Sequence, residues 1–207
     1  MAYNVLSMNN IWLVIIVVIM VVATGFILVK SGEDARPSQT QTKEATQSAR
    51  PSGKYDKFPG VLPEKERVGK NVRIKTSKGA IEFELLGKEA PKAVSNFIFL
   101  AKEGFYNGLK FHRREEGFVI QGGDPNEDGS GGPGYQFEDE PVKRNYDRGI
   151  VAMANSGPNT NSSQFFIMLS DNKTLPKKYT IFGKVTTGMD TVDQIKVGDV
   201  MEEVEVF

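Results

Sequence analysis

The stretch Phe111-His-Arg-Arg-Glu-Glu-Gly-Phe-Val-Ile-Gln-Gly-Gly-Asp124 constrains this chain more than any other. Gly117, with Glu115 and Glu116 ahead of it, predicts a turn between two short strands. Such a hairpin brings Arg113 back beside the second strand. A guanidinium, an aromatic ring and a carboxamide then fall close together at Arg113, Phe118 and Gln121. No nucleophile accompanies them: there is no Ser-His pair, no Cys and no carboxylate dyad. An arginine cannot serve as a base near neutral pH. The group is suited to gripping and polarising rather than to attack. Strict alternation sets Phe118 and Ile120 on one face and Val119 and Gln121 on the other. Phe118 and Gln121 therefore share a groove only if the strand twists or bulges.

A second stretch answers the first: Met153-Ala-Asn-Ser-Gly-Pro-Asn-Thr-Asn-Ser-Ser-Gln-Phe-Phe-Ile167. Together the two resemble the cyclophilin family of peptidyl-prolyl cis-trans isomerases. Its patterns F-H-R-x-x-x-G-F-x-x-Q-G-G-D and M-A-N-x-G-P-N-T-N-x-S-Q-F-F-I match Phe111–Asp124 and Met153–Ile167 in order. The resemblance runs from about Asn71 to the C-terminus. It implies a mainly β fold, an eight-stranded antiparallel barrel capped by two helices. It implies X-Pro isomerisation in folding chains, with no cofactor and no metal. Arg113, rather than Arg114, takes the role of donor to the prolyl nitrogen, with Phe118 and Gln121 beside it. The proline pocket maps to Phe118, Val119, Phe166 and Leu175. Gln121, Gln164 and Asn155 map to groups that bind the peptide backbone and orient the arginine, and Ala154 lines the groove. Tyr179 stands where a His is frequent in the family. Thr174 stands where a Trp is frequent, which implies weakened binding of cyclosporin. Val119 replaces a common Met. Proline-containing polypeptides are the expected partners of a monomer.

Composition adds exclusions. The formal net charge is zero, so nothing electrostatic argues for nucleic acid. Cysteine is absent, which removes disulfides and thiolate metal sites, and a single histidine argues against a histidine metal centre. Asp124-Pro-Asn-Glu-Asp-Gly129 copies the opening of a calcium-binding loop but has Tyr135 where the twelfth ligand is needed. The run Gly129–Gly134 lacks the Lys-Ser/Thr of a phosphate loop and reads as a flexible rim of the groove.

Ahead of the resemblance, residues 1–10 read as a short tail. Ile11–Val29 is 19 residues without a charge, long enough for a transmembrane helix, with Trp12 and Lys30 as interfacial anchors. A cleaved signal peptide is the rival reading. The expectation is a single-pass membrane protein, tethered through this N-terminal anchor, with its catalytic domain extracytoplasmic. Residues 30–70, polar and broken by Pro37, Pro51, Pro59 and Pro63, read as a flexible linker.

The domain itself spans 71–207. Val72–Thr76 and Ala80–Leu85 alternate around Ser77-Lys-Gly79 and predict a hairpin. Ala90–Glu103 predicts a helix with Pro91 in its first turn, Val94, Phe97, Ile98, Leu100 and Ala101 facing the core, and Gly104 as its stop. Short strands follow around 110–114, 118–121, 149–154, 165–169 and 180–184. Met189–Ile195 reads as a second helix and 202–207 as a closing strand. Phe165 and Phe166 divide between core and groove, His112 reads as structural, and Gln136–Glu140 as a solvated loop. Two other readings stay open: a proline-peptide binding module whose turnover is incidental, and a structural subunit of a membrane complex.

Overall fold

The computed structural model describes residues 54–207. Eight antiparallel strands form one sheet: β1 (Val68–Thr76), β2 (Gly79–Leu86), β3 (Phe111–Glu115), β4 (Val119–Gly122), β5 (Ile150–Met153), β6 (Phe165–Met168), β7 (Ile181–Thr187) and β8 (Glu203–Val206). Their spatial order is β3-β4-β6-β5-β7-β2-β1-β8. The sheet curls into a half-barrel whose two ends approach through the segments ahead of β3 and β8. Gly108 donates to Met201 at 2.8 Å, Met201 donates back to Leu109 at 2.8 Å, and Lys110 bridges Val200.

Three helices accompany the sheet among the described residues: α1 (Glu64–Arg67), α2 (Pro91–Lys102) and α3 (Met189–Gln194). Pro91 opens α2, and Gly104, at φ +68°, follows its end. Its buried face, Ala93, Val94, Phe97, Ile98, Leu100 and Ala101, packs against β2, β7 and β8. The ring of Phe97 sits among Tyr106, Phe182, Phe83 and Phe165, with centroids 4.7–5.6 Å away. Close packing of this kind makes one aromatic core inside the curl.

A second apolar cluster lies on the outer face of the sheet. Val119, Ala152, Phe166, Met168 and Ile181 form it with Tyr146 and Ile150. Strands β5 and β6 are therefore buried on both faces and show no polar alternation.

Three expectations change. The reading of 30–70 as a linker does not fit its described part, 54–70. Tyr55, Phe58 and Leu62 pack on the core, α1 forms, and β1 begins at Val68, because the aromatic and apolar side chains between the prolines find a surface to bury against. Gln136–Glu140 is not a solvated loop: Phe137 is 3% and Glu140 8% exposed. Phe137 joins the core, while the carboxylate of Glu140 accepts the N–H groups of Lys92 and Ala93 at 2.8 and 2.9 Å, capping α2 where Ala90 cannot. The third correction concerns the membrane. Among the described residues no helix is long and apolar enough to cross a membrane. The membrane-tethered, single-pass and extracytoplasmic readings are withdrawn on that finding. The run Ile11–Val29 on which they rested lies outside the described residues.

Candidate active site

The turn at Glu116-Gly117 joins β3 to β4, and Gly117 takes φ +67° there. Register places Phe111 opposite Gly122 but Arg113 opposite Gln121, so His112 is the extra residue of a bulge. Residues directly opposite share a face. The bulge therefore puts Arg113 on the side of Gln121, away from the interior.

On that outer side β4 lies against β6, with Val119 opposite Met168 and Gln121 opposite Phe166. Ile120 and Phe165 point inward to the aromatic core. Phe165 thus faces the core and Phe166 the groove. Phe118 precedes β4, in the turn, so strand alternation does not bind it. Its ring can join Val119 and Gln121 on the groove side, which resolves the conflict in the sequence pattern.

The result is a pocket of about 190 Å³ lined by Arg113, Phe118, Val119, Gln121, Ala154, Asn155, Phe166, Leu175 and Tyr179. Nine of the ten candidate residues meet there. The tenth, Gln164, is buried one step further in. The guanidinium of Arg113 donates to Oε1 of Gln121 at 3.1 Å, and Nε2 of Gln121 donates to Oε1 of Gln164 at 3.0 Å. Nε2 of Gln164 then donates to the carbonyls of Gly129 and Gly131, both at 2.9 Å. A chain of bonds thus links the glycine-rich loop to the arginine. The resemblance gave Gln164 a part both in binding the peptide backbone and in orienting the arginine; here its amide is bonded to Gln121 and to the glycine-rich loop, at the wall of a polar recess.

The opposite wall comes from the loop 172–179. Asn172 accepts the N–H groups of Thr174 and Leu175, which fixes the turn presenting Leu175. Asn155 donates to the carbonyl of Lys178 at 2.9 Å, and Tyr179 meets Phe166 edge to face at 5.6 Å. Beyond Gln121 and Asn155 the groove continues into a polar recess of about 100 Å³, with Gln136, Ser156, Thr160 and Ser162 in its walls.

Two features were not legible beforehand. Glu115 forms an ion pair with Arg113 on the solvent side, and both side chains are about half exposed. The pair follows from i, i+2 spacing along one strand face. His112, beside Arg113, has both ring nitrogens buried without a hydrogen-bond partner in the protein. Burial pushes its pKa below the usual value and Arg113 pushes the same way, against the opposing pull of Asp124 and Asp128.

No group of acidic or histidine side chains among the described residues is arranged to hold a metal ion. The carboxylate of Asp124 is engaged by its own loop, accepting N–H groups from Asn126 and Gly129.

Residues 71–206 match the family model described as cyclophilin type peptidyl-prolyl cis-trans isomerase/CLD. A peptidyl-prolyl cis-trans isomerase of Helicobacter pylori is 51% identical over 136 residues, 63% of this chain and 83% of its own. Peptidyl-prolyl cis-trans isomerase-like 1 of Mus musculus is 50% identical over 130 residues, 60% of this chain and 78% of its own. Among solved structures, a cyclophilin type peptidyl-prolyl cis-trans isomerase of Cryptosporidium parvum superposes with a TM-score of 0.63 at 38% identity. It covers 67% of this chain and 97% of its own.

Proposed function

Because this chain belongs to the cyclophilin-type peptidyl-prolyl cis-trans isomerases, and is such an isomerase, we propose that the Arg113 groove is where it turns over X-Pro bonds. The amide C–N bond has partial double-bond character and a rotation barrier of about 18–20 kcal/mol. Lowering it needs no covalent step. The enzyme has to hold the proline ring, hold a flanking chain, and bind the twisted amide better than the planar one.

The apolar side chains of Phe118, Val119, Phe166 and Leu175, with the ring of Tyr179, suit a pyrrolidine ring. Ala154 leaves room for the chain, and Asn155 offers it hydrogen-bonding groups. In the twisted amide the nitrogen regains its lone pair and becomes an acceptor. The guanidinium of Arg113 is a permanent donor at the mouth of the same pocket. Its bond to that nitrogen strengthens as the amide twists, which is the kind of preorganised electrostatic stabilisation that lowers a barrier. Gln121 orients the arginine and Gln164 orients Gln121. The carrying observation is the 3.1 Å bond from Arg113 to Gln121 on the wall of an apolar pocket of proline size.

The test is isomerisation of a short X-Pro peptide by the full chain. Arg113→Ala is expected to lose about 10²–10³-fold in kcat, the usual effect of removing one transition-state donor, with its circular dichroism unchanged. Full turnover by that variant would remove Arg113 from the mechanism.

A further inference from the structure

Residues 54–63 lie outside the family match, which begins at 71, yet they pack on the inner core as a strap between α2 and the segment 133–137. We propose that this strap positions the glycine-rich loop, and through it Gln164, Gln121 and the guanidinium of Arg113. The inference rests on the reading of Arg113 given above.

The loop 129–134 has four glycines among its six residues. Glycine supplies no side chain to anchor it and the largest backbone entropy to overcome. Ser130 is tied to Asp128 through its N–H and hydroxyl, at 2.8 and 2.6 Å, and the glycines after it take their place from what grips the two ends. At the front, Asp124 accepts the N–H of Gly129, and space is tight: a Cβ on Gly131 would stand 2.1 Å from Oδ1 of Asp124. At the back, the strap supplies the grip. The N–H of Tyr55 donates to the carbonyl of Pro133 at 2.9 Å. Phe58 stacks on Phe137 at 5.1 Å between centroids and meets Tyr135 edge-on at 6.3 Å. The strap is itself held on α2. Tyr55 lies edge-on to Phe99 at 5.1 Å, and the N–H of Leu62 donates to the hydroxyl of Ser95 at 2.9 Å.

The carbonyls of Gly129, at the front grip, and of Gly131, between the two, are the acceptors that fix Gln164. A loop shifted at Pro133 carries the Gly131 carbonyl with it, while Gly129 stays on Asp124. Gln164 then loses one of its two acceptors and turns, Gln121 follows, and the guanidinium swings toward Glu115. Tyr55 and Phe58 are thus positioning residues, acting through four others on the donor.

A strap that merely buries apolar surface would affect melting and nothing else. Kinetics separates the two roles. In the full chain, assayed well below the melting midpoint, Phe58→Ala is expected to lower kcat about three- to tenfold, less than the roughly 10²-fold that a full 1 Å misplacement from a remote mutation can cost. KM for a short X-Pro peptide stays nearly constant, and Phe58→Leu recovers most of the loss. In a Gln164→Ala background the same Phe58→Ala change has no further effect on kcat, because the connection is already cut. Unchanged kcat in Phe58→Ala, or losses that multiply in the double variant, overturn the proposal. If Phe58→Ala does not fold, Tyr55→Pro removes the donor to Pro133 and is read by the same constants. Arg113→Ala separates the failures. An inactive Arg113→Ala beside a fully active Phe58→Ala refutes the strap alone; an active Arg113→Ala refutes the site reading and the strap with it.

Discussion

Gln121 stands directly across the β3–β4 ladder from Arg113 and accepts its guanidinium at 3.1 Å. On the other side Glu115 competes for the same group. Removing the carboxamide leaves the guanidinium to the carboxylate. Gln121→Ala is therefore expected to lower kcat about tenfold, the equivalent of ~1.4 kcal/mol in the barrier. Glu115→Gln should leave the melting midpoint almost unmoved, since exposed ion pairs contribute little. Steady-state isomerisation of one peptide checks Gln121→Ala, and thermal melting checks Glu115→Gln.

Glu140 caps a helix to which it does not belong. Glu140→Ala strands the N–H groups of Lys92 and Ala93 at the buried start of α2. The expected cost is about 1–2 kcal/mol, the range for losing a helix cap. Urea unfolding would show it as a lower midpoint at constant slope. Glu140→Gln keeps one acceptor oxygen and should lose less.

Phe97 is fully buried and touches four rings. Phe97→Ala should cost about 3–5 kcal/mol, from lost transfer energy and the cavity left behind. Thermal melting measures it. Phe97→Leu keeps most of the volume and should cost clearly less.

The chain's single histidine gives stability a slope near neutral pH. Burial holds the folded-state pKa of His112 below its ordinary 6.5. Between that lowered value and 6.5 the unfolded chain binds a proton that the folded chain does not. Stability therefore rises with pH across this window and is lost as pH falls from about 6.5. Glu89 and Asp193 are held below 4.5 and 3.8 by Arg144 and Arg148, so their contributions disappear only further into acid. Urea midpoints from pH 7.5 to 5 should fall for the wild type, and His112→Gln should flatten the change.

Much of the fold was legible in local chemistry. Alternation around Ser77-Lys78 marked β1 and β2, and apolar spacing with Pro91 and Gly104 marked α2, because both patterns are written within a few residues. The outer apolar cluster was not legible. Ile150–Met153 and Phe165–Met168 are continuous apolar runs, and such runs do not say which residue faces which of two cores. Position along the motif brought nine candidates to one pocket. What it missed depends on partners far away in sequence: Glu140 is recognisable as a cap only when α2 lies beside it, and the apolar residues of Phe58–Pro63 suggest docking on the domain without naming Phe137 as the partner. The strap was read as linker because prolines dominate its pattern, while its aromatic residues reveal their purpose only against a surface.

The bonds joining the glycine-rich loop to Arg113 have a fixed sense. Backbone carbonyls at one end can only accept, and a guanidinium at the other can only donate. Two amides between them have one consistent orientation, each turning its oxygen toward the arginine. Putting a glutamate at position 164 would set an acceptor against the carbonyls of Gly129 and Gly131. A lysine at 121 would leave Arg113 facing another donor. The connection therefore works as a keyed joint, and both of its middle parts have to be two-ended side chains.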